Sequence, residues 1–137
     1  MKNTLVVLFI VLGLAQFITA YSVFGYVKNG FSSPVKLVNV TLSAGEWVTE
    51  PSDSINGPST DYVFFFEVDG DSGVAGSIEY ALPPQQGITV TATFYFKNDA
   101  SGNSYTAFVA PSPWIGGVNG VTGTTNATVD YYLHQMC

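Results

Sequence analysis

The feature that most constrains this chain is a run of three strand-like segments in succession, separated by turns that leave no room for a helix. Residues 62–68 (Tyr-Val-Phe-Phe-Phe-Glu-Val) lead into Asp69-Gly70-Asp71-Ser72-Gly73. Residues 74–82 follow, and Pro83-Pro84-Gln85-Gln86-Gly87 breaks the chain before residues 88–97. β-Branched and aromatic side chains fill the runs and turn formers fill the breaks, so the three read as a β-meander. In the third run Ile88, Val90, Ala92, Phe94 and Phe96 alternate with Thr89, Thr91, Thr93, Tyr95 and Lys97. Strand periodicity puts the first set on a core face and the second toward solvent. In the second run Val74, Gly76, Ile78, Tyr80 and Leu82 oppose Ala75, Ser77, Glu79 and Ala81. The first run is apolar on both faces, with Phe64, Phe66 and Val68 opposite Val63 and Phe65. It is expected to be central and buried on both sides, or to offer one face to a partner, with Phe64 and Phe66 joining Ile78, Phe94 and Phe96 in the core.

The flanking sequence extends the pattern. Residues 21–28 alternate loosely and stop at Asn29-Gly30, a strong turn dipeptide. In residues 35–43, Val38, Val40 and Leu42 are expected inward and Asn39 outward. Residues 44–50 hold a short strand that Pro51 ends, and residues 52–60 are turn formers around Asn56-Gly57-Pro58. Residues 104–110 return as a strand, residues 115–125 read as a Gly, Val and Thr-rich loop with one short strand, and residues 126–134 alternate Ala127, Val129, Tyr131 and Leu133 against Asn126, Thr128, Asp130 and Tyr132. About seven to nine short strands at about ten-residue spacing specify an all-β fold, a single-domain antiparallel β-sandwich over residues 21–137. A chain of 137 residues holds one such core.

Residues 1–20 read differently. Lys2 precedes an apolar stretch over residues 5–14 and a small-residue end, Ile18-Thr19-Ala20. That is the pattern of a secretory signal peptide, and it is shorter than a bilayer-spanning helix requires. A secreted, extracellular protein is expected. The sequons Asn39-Val40-Thr41 and Asn126-Ala127-Thr128 fit such a route, and both asparagines are expected on outward faces. Cys137 is the only cysteine, so no disulfide forms within the chain; a bridge between two chains, hence self-association, and a free terminal thiol both remain open.

Charge narrows the function. The chain has four lysines, no arginine and ten acids, a formal net charge of −6. Nucleic acid is therefore an unfavourable partner, and membrane binding would have to rest on aromatic and polar contacts. His134 and Cys137 are each the only residue of their kind. A zinc site lacks ligands, and a triad would need a histidine held rigidly in a terminus expected to fray. No catalytic residue, metal or cofactor is assigned, and an enzyme is not expected. Asp69 and Asp71 open like a calcium loop, but the twelfth position, where such a loop needs Glu, is Tyr80; Asp in a Gly-rich turn is explained by backbone hydrogen bonding. Glu67 and Glu79 add carboxylates for a glycosidase pair, without scaffold for a sugar cleft. The aromatic residues remain. Trp47, Tyr95, Tyr105, Phe108, Trp114, Tyr131 and Tyr132 either fill the core or, grouped at one end of a sandwich, suit a lipid interface or a sugar ring.

The segment Asp71-Ser72-Gly73-Val74-Ala75-Gly76-Ser77-Ile78-Glu79-Tyr80, followed by Val90-Thr91-Ala92-Thr93-Phe94-Tyr95-Phe96 and a polar loop to Tyr105, resembles the central part of the aegerolysins and of the actinoporin-like cytolysins. Residues 35–47, ending Leu42-Ser43-Ala44-Gly45-Glu46-Trp47, are similar to an early aegerolysin strand. The resemblance spans residues 35–109 and implies a small β-sandwich that binds membrane lipids. Departures are specific: the turn has no Arg, Phe94-Tyr95-Phe96-Lys97-Asn98-Asp99 replaces the Tyr-Trp-Asp-Cys-Pro-Trp motif, and the amphipathic N-terminal helix of the pore formers is absent. By motif match, Ser72, Val74, Tyr95 and Tyr105, assisted by Trp114, are the implied site for a lipid headgroup. The same aromatic residues leave an alternative, an extracellular lectin-like module that binds glycans or a structural interaction module. Pore formation by this chain alone is not implied.

Overall fold

The computed structural model describes residues 20–82, 87–111 and 114–135; the side chains of Trp114 and Gln135 lie outside that description. The leader-like residues 1–19 and Cys137 also lie outside it. Ten strands are present among the described residues: β1 (Tyr21–Asn29), β2 (Val35–Ala44), β3 (Glu46–Thr49), β4 (Ser54–Ile55), β5 (Val63–Gly70), β6 (Gly73–Ala81), β7 (Thr91–Asp99), β8 (Gly102–Ala110), β9 (Trp114–Thr122) and β10 (Asn126–Gln135). They form two five-stranded sheets, ordered β3-β5-β1-β10-β9 (sheet one) and β4-β2-β6-β7-β8 (sheet two). The expected all-β sandwich is what forms, with ten strands in place of seven to nine.

One pairing departs from the antiparallel expectation. β1 and β10 lie side by side and parallel at the centre of sheet one, from Ser22 opposite Asn126 to Asn29 opposite Leu133. This parallel pair brings the first and last described strands together. Buried polar groups pin it: Ser22 Oγ donates to Asn126 Oδ1 at 2.7 Å, and Asn98 Nδ2, from the other sheet, donates to the carbonyls of Thr124 (2.7 Å), Thr125 (3.2 Å) and Ser22 (3.3 Å).

The core between the sheets is aromatic. Phe65 packs edge-on against Phe66 (4.9 Å), Phe94 (5.2 Å), Tyr131 (6.0 Å) and Tyr80 (6.1 Å). The two buried tyrosines satisfy their hydroxyls on backbone: Tyr80 Oη donates to Ser52 O and Tyr131 Oη to Tyr95 O, at 2.7 and 2.8 Å. Such bonds let a phenol sit in a core without the desolvation penalty of an orphaned hydroxyl.

Alternation holds in β6 and β7 and fails where an extra residue enters. Gly25 pairs with Phe66 while Tyr26 pairs with Phe64, so Phe65 is a bulge in β5. Phe65 and Phe66 consequently both face the core, at 1% and 0% exposure, and Phe64 is turned out at 39%. The expected core position of Phe64 is thus corrected: Phe65 occupies it, and Phe64 meets Tyr26 edge-on at 5.5 Å on the outer face. A second irregularity, between Leu37 and Asn39 of β2, shifts the register at Val38. Val35 is buried and Leu37 packs on the core, whereas Val38 is exposed, against expectation; Val40 keeps the inward face, opposite Ile78, but is 39% exposed. Asn39 is exposed as expected. Ile88, expected inward, is exposed because β7 begins only at Thr91. The segment 115–125, expected to be mostly loop, is largely β9, held by its register on β10. Gly45, at φ +95, forms the corner where the chain leaves sheet two for sheet one.

Candidate functional site

The structure separates the residues that the family resemblance grouped. Ser72 is exposed in the β5–β6 turn, on the rim of a groove of about 550 Å³ that Glu46, Trp47, Asp69 and Asp71 also line. Glu46 and Asp69 are direct cross-strand neighbours, so this groove concentrates negative charge and would repel a phosphate. Its tryptophan is committed to the core, packing edge-on against Phe66 and Phe96 with centroids 5.9 Å away in each case. Val74 is a core residue at 1% exposure. Tyr95 projects from the outer face of sheet two and stacks on Phe108, with centroids 5.9 Å apart and planes 17° apart. Tyr105 is the partner of Phe96 and points between the sheets, where burial pushes its phenol pKa up to about 12. Its buried Oη has no hydrogen-bond partner among the described residues. Tyr95 and Tyr105 therefore lie on opposite faces of one sheet and do not line a common site. Trp114 opens β9 opposite Gln135.

A different set of residues converges. On the outer face of sheet one, Lys28, Gly30, Tyr62, Asn119, Tyr132 and His134 line a recess of about 370 Å³. Its geometry follows from the strand pairings. Lys28 is the direct partner of Tyr132 across the parallel β1–β10 pair, and Tyr132 and His134, two residues apart, share that face. Their rings stack at 5.4 Å and 14°. Tyr62 immediately precedes β5, whose Val63 pairs with Val27, and the ammonium of Lys28 lies 6.0 Å from the Tyr62 ring centroid. The loop ahead of Tyr62 is tied down from beneath by Asn29, which is fully buried. Asn29 Nδ2 donates to Ile55 O at 3.1 Å, its backbone N–H donates to Ser59 Oγ at 2.8 Å, and its carbonyl accepts from Ser59 N at 2.7 Å.

Two glycines open the recess. A Cβ on Gly117 would lie 2.4 Å from Tyr132 Oη and 2.6 Å from its Cζ, so the phenol rests directly on the glycine backbone. A Cβ on Gly30 would meet the Leu133 carbonyl at 2.7 Å. The register shift between Asp130 and Tyr131 puts Asn119 in a β9 bulge at the rim. The recess thus offers an ammonium, an imidazole and two phenol rings. That set suits a ligand carrying both an anionic group and an apolar or cationic one. Sequence reasoning missed it because His134 was expected to fray; it lies within β10. The i, i+2 pairing of Tyr132 with His134 was legible, but the parallel partner that adds Lys28 was not. Among the described residues, no group of three or more His, Cys, Asp or Glu side chains could hold a metal ion, and no helix is long and apolar enough to cross a membrane.

In class, this is an all-β two-sheet sandwich with an aromatic and basic recess on the outer face of one sheet. Among solved structures it is similar to the lipid binding protein Nakanori, with a TM-score of 0.70 and 12% sequence identity over 88% of this chain and 74% of that chain. At this identity the likeness is one of fold. No family model matches the chain, and no curated protein matches it.

Proposed function

We propose that this protein is a secreted binder of membrane lipid headgroups, acting through the recess around Lys28, Tyr62, Tyr132 and His134, and that it serves as a component of a membrane-active system. The observation that carries the proposal is the meeting of a lysine and the only histidine of a chain of net charge −6 with two tyrosine rings in one recess. The fold likeness to a lipid-binding protein supports the same reading.

The chemistry suits a zwitterionic headgroup. The Lys28 ammonium lies at the outer limit of a cation–π contact with Tyr62, so little is lost when it swings away. A quaternary ammonium that takes its place over the phenol faces frees Lys28 to donate to the adjoining phosphate, where the His134 ring adds a second donor. Attraction then arises from matched groups within one ligand, which a protein of negative net charge needs, since bulk electrostatics oppose its approach to an anionic surface.

Liposome co-sedimentation across lipid compositions tests the proposal. Vesicles with choline headgroups should retain the wild-type protein, with Lys28→Ala and Tyr132→Ala each weakening retention and Ser72→Ala leaving it unchanged. Failure to bind any sphingolipid, sterol or phospholipid mixture, at neutral and mildly acidic pH, would sink the idea. A glycan array run on the same protein would then decide for or against the alternative of a carbohydrate ligand.

A further inference from the structure

The outer face of sheet two takes no part in the recess, yet it carries both a sequon and a stacked pair of exposed aromatic rings. Tyr95 and Phe108 are 42% and 49% exposed and stack on each other. The strand register places them at one side of a four-strand platform. One row across β2, β6, β7 and β8 reads Asn39, Glu79, Thr93, Phe108; the next reads Thr41, Ser77, Tyr95, Thr106. Asn39 and Phe108 thus occupy the two ends of one row, three strand spacings or about 14 Å apart. Between them lie hydroxyl side chains and a single carboxylate. Lys97, on the same face, is engaged with Asp99 at 3.7 Å.

We propose that Asn39 is N-glycosylated and that its glycan lies across this face, with a sugar ring seated on the Tyr95–Phe108 pair. Three observations select that occupant. Asn39 and Thr41 of the sequon are both exposed, so the carboxamide is free to carry a sugar. A glycan leaving Asn39 away from the β4 edge must cross the hydroxyls of Thr41, Ser77 and Thr93, which match sugar hydroxyls as donors and acceptors. The path ends on two near-parallel aromatic rings, whose apolar faces suit the C–H face of a pyranose. The platform carries little charge, as a neutral glycan requires. The other sequon makes the contrast: Asn126 is exposed, but its Oδ1 is held by Ser22 Oγ and its cross-strand partner is Ser22, with no exposed aromatic beside it. A glycan there has nothing to rest on.

The test uses the full chain exported from eukaryotic cells behind an efficient leader, so that it does not depend on the fate of residues 1–20. Peptide mass spectrometry should find Asn39 occupied, and nuclear magnetic resonance with isotope-labelled sugars should show contacts from the Asn39 glycan to the rings of Tyr95 and Phe108, with slowed motion of those sugars. The double variant Tyr95→Ser, Phe108→Ser, checked for an unchanged melting temperature, should release the Asn39 sugars to the mobility of a free glycopeptide and leave any on Asn126 unaffected. An unoccupied Asn39 overturns the proposal, as do Asn39 sugars that are already freely mobile or that ignore the double variant. Vesicle binding should survive enzymatic deglycosylation, because the lipid recess is on the opposite sheet; its loss would place the glycan elsewhere than proposed.

Discussion

Gly117→Ala probes the recess without removing any of its functional groups. The new Cβ would fall 2.4 Å from Tyr132 Oη, 2.6 Å from Cζ and 2.9 Å from Cε1, so the ring has to move by about 1 Å or more to restore ordinary contact. Tyr132 is half-buried and lies on the outer face of the sheet, so it can swing outward. The stability cost should therefore fall at the low end of overpacking, about 1 kcal/mol. Swinging out breaks the 14° stack on His134 and withdraws one of the two phenol faces from the recess. A cation–π contact is worth about 0.5–2 kcal/mol, so headgroup affinity should fall about 2- to 30-fold. Gly120→Ala is the matched control, since a Cβ there meets nothing within 4 Å. Urea denaturation and vesicle co-sedimentation on the two variants separate stability from binding. Equal vesicle binding by Gly117→Ala, Gly120→Ala and wild type, with Tyr132→Ala impaired, would refute the claim that Gly117 seats the ring; equal binding by all four would refute the site.

Other expectations follow from the core. Gly25→Ala should cost about 3 kcal/mol or more in urea unfolding, because its Cβ would lie 1.9 Å from Cε1 of Phe66, which is fully buried and boxed in by Phe65, Phe96 and Trp47; a loss under about 1 kcal/mol would mean that the sheet opens there freely. Asn98→Asp should replace a buried donor to three carbonyls with a carboxyl that the fold keeps protonated, so its folded pKa is raised and the destabilisation, about 3 kcal/mol or more at neutral pH, should grow as pH rises from about 4; Asn98→Ala should cost about 1–3 kcal/mol with no such pH slope. Burial raises the phenol pKa of Tyr80, Tyr105 and Tyr131 above that of the unfolded chain, about 10, so their contribution to stability is intact below that pH and is lost as pH climbs through the folded value, about 12 for Tyr105. Ultraviolet titration should show these phenols ionising only with unfolding, and ionisation of all eight tyrosines near pH 10 in the folded protein would contradict the burial.

The fold was legible wherever period-two alternation ran uninterrupted. Val74, Ile78 and Tyr80 of β6 and Ala92, Phe94 and Phe96 of β7 are buried as their spacing demands. Alternation misassigned Phe64 and Val38 for one physical reason: a bulge shifts which face a residue occupies, and what places it lies on the partner strand. Gly25 leaves room for the Phe66 ring, and that is invisible from within residues 62–68. The length of β9 was underread because its glycines look like loop, whereas Gly117 is there to make space for Tyr132. The candidate site was the least legible part. Its side chains come from β1, the segment before β5, and β10, and only the parallel pairing of β1 with β10 makes Lys28 and Tyr132 neighbours. The motif-derived residues failed to converge because adjacent alternation sends Tyr95 outward and the partner of Phe96, Tyr105, inward.

That parallel pair also sets the order in which the molecule can be made. β10 fills the gap between β1 and β9 in sheet one, and Ser22 reaches Asn126 across 104 positions of chain. As the polypeptide emerges during synthesis, sheet two can assemble from β2, β6, β7 and β8, which follow in order, while β1 waits with one edge unpaired. Sheet one, and with it the recess that needs both Lys28 and Tyr132, is completed only once β10 has left the ribosome. Contacts so distant in sequence close slowly, so a truncated or stalled product would hold the Tyr95 face without the Tyr132 recess. A recess built from β1 and β10 therefore exists only after β10 has been made, whatever ligand it takes.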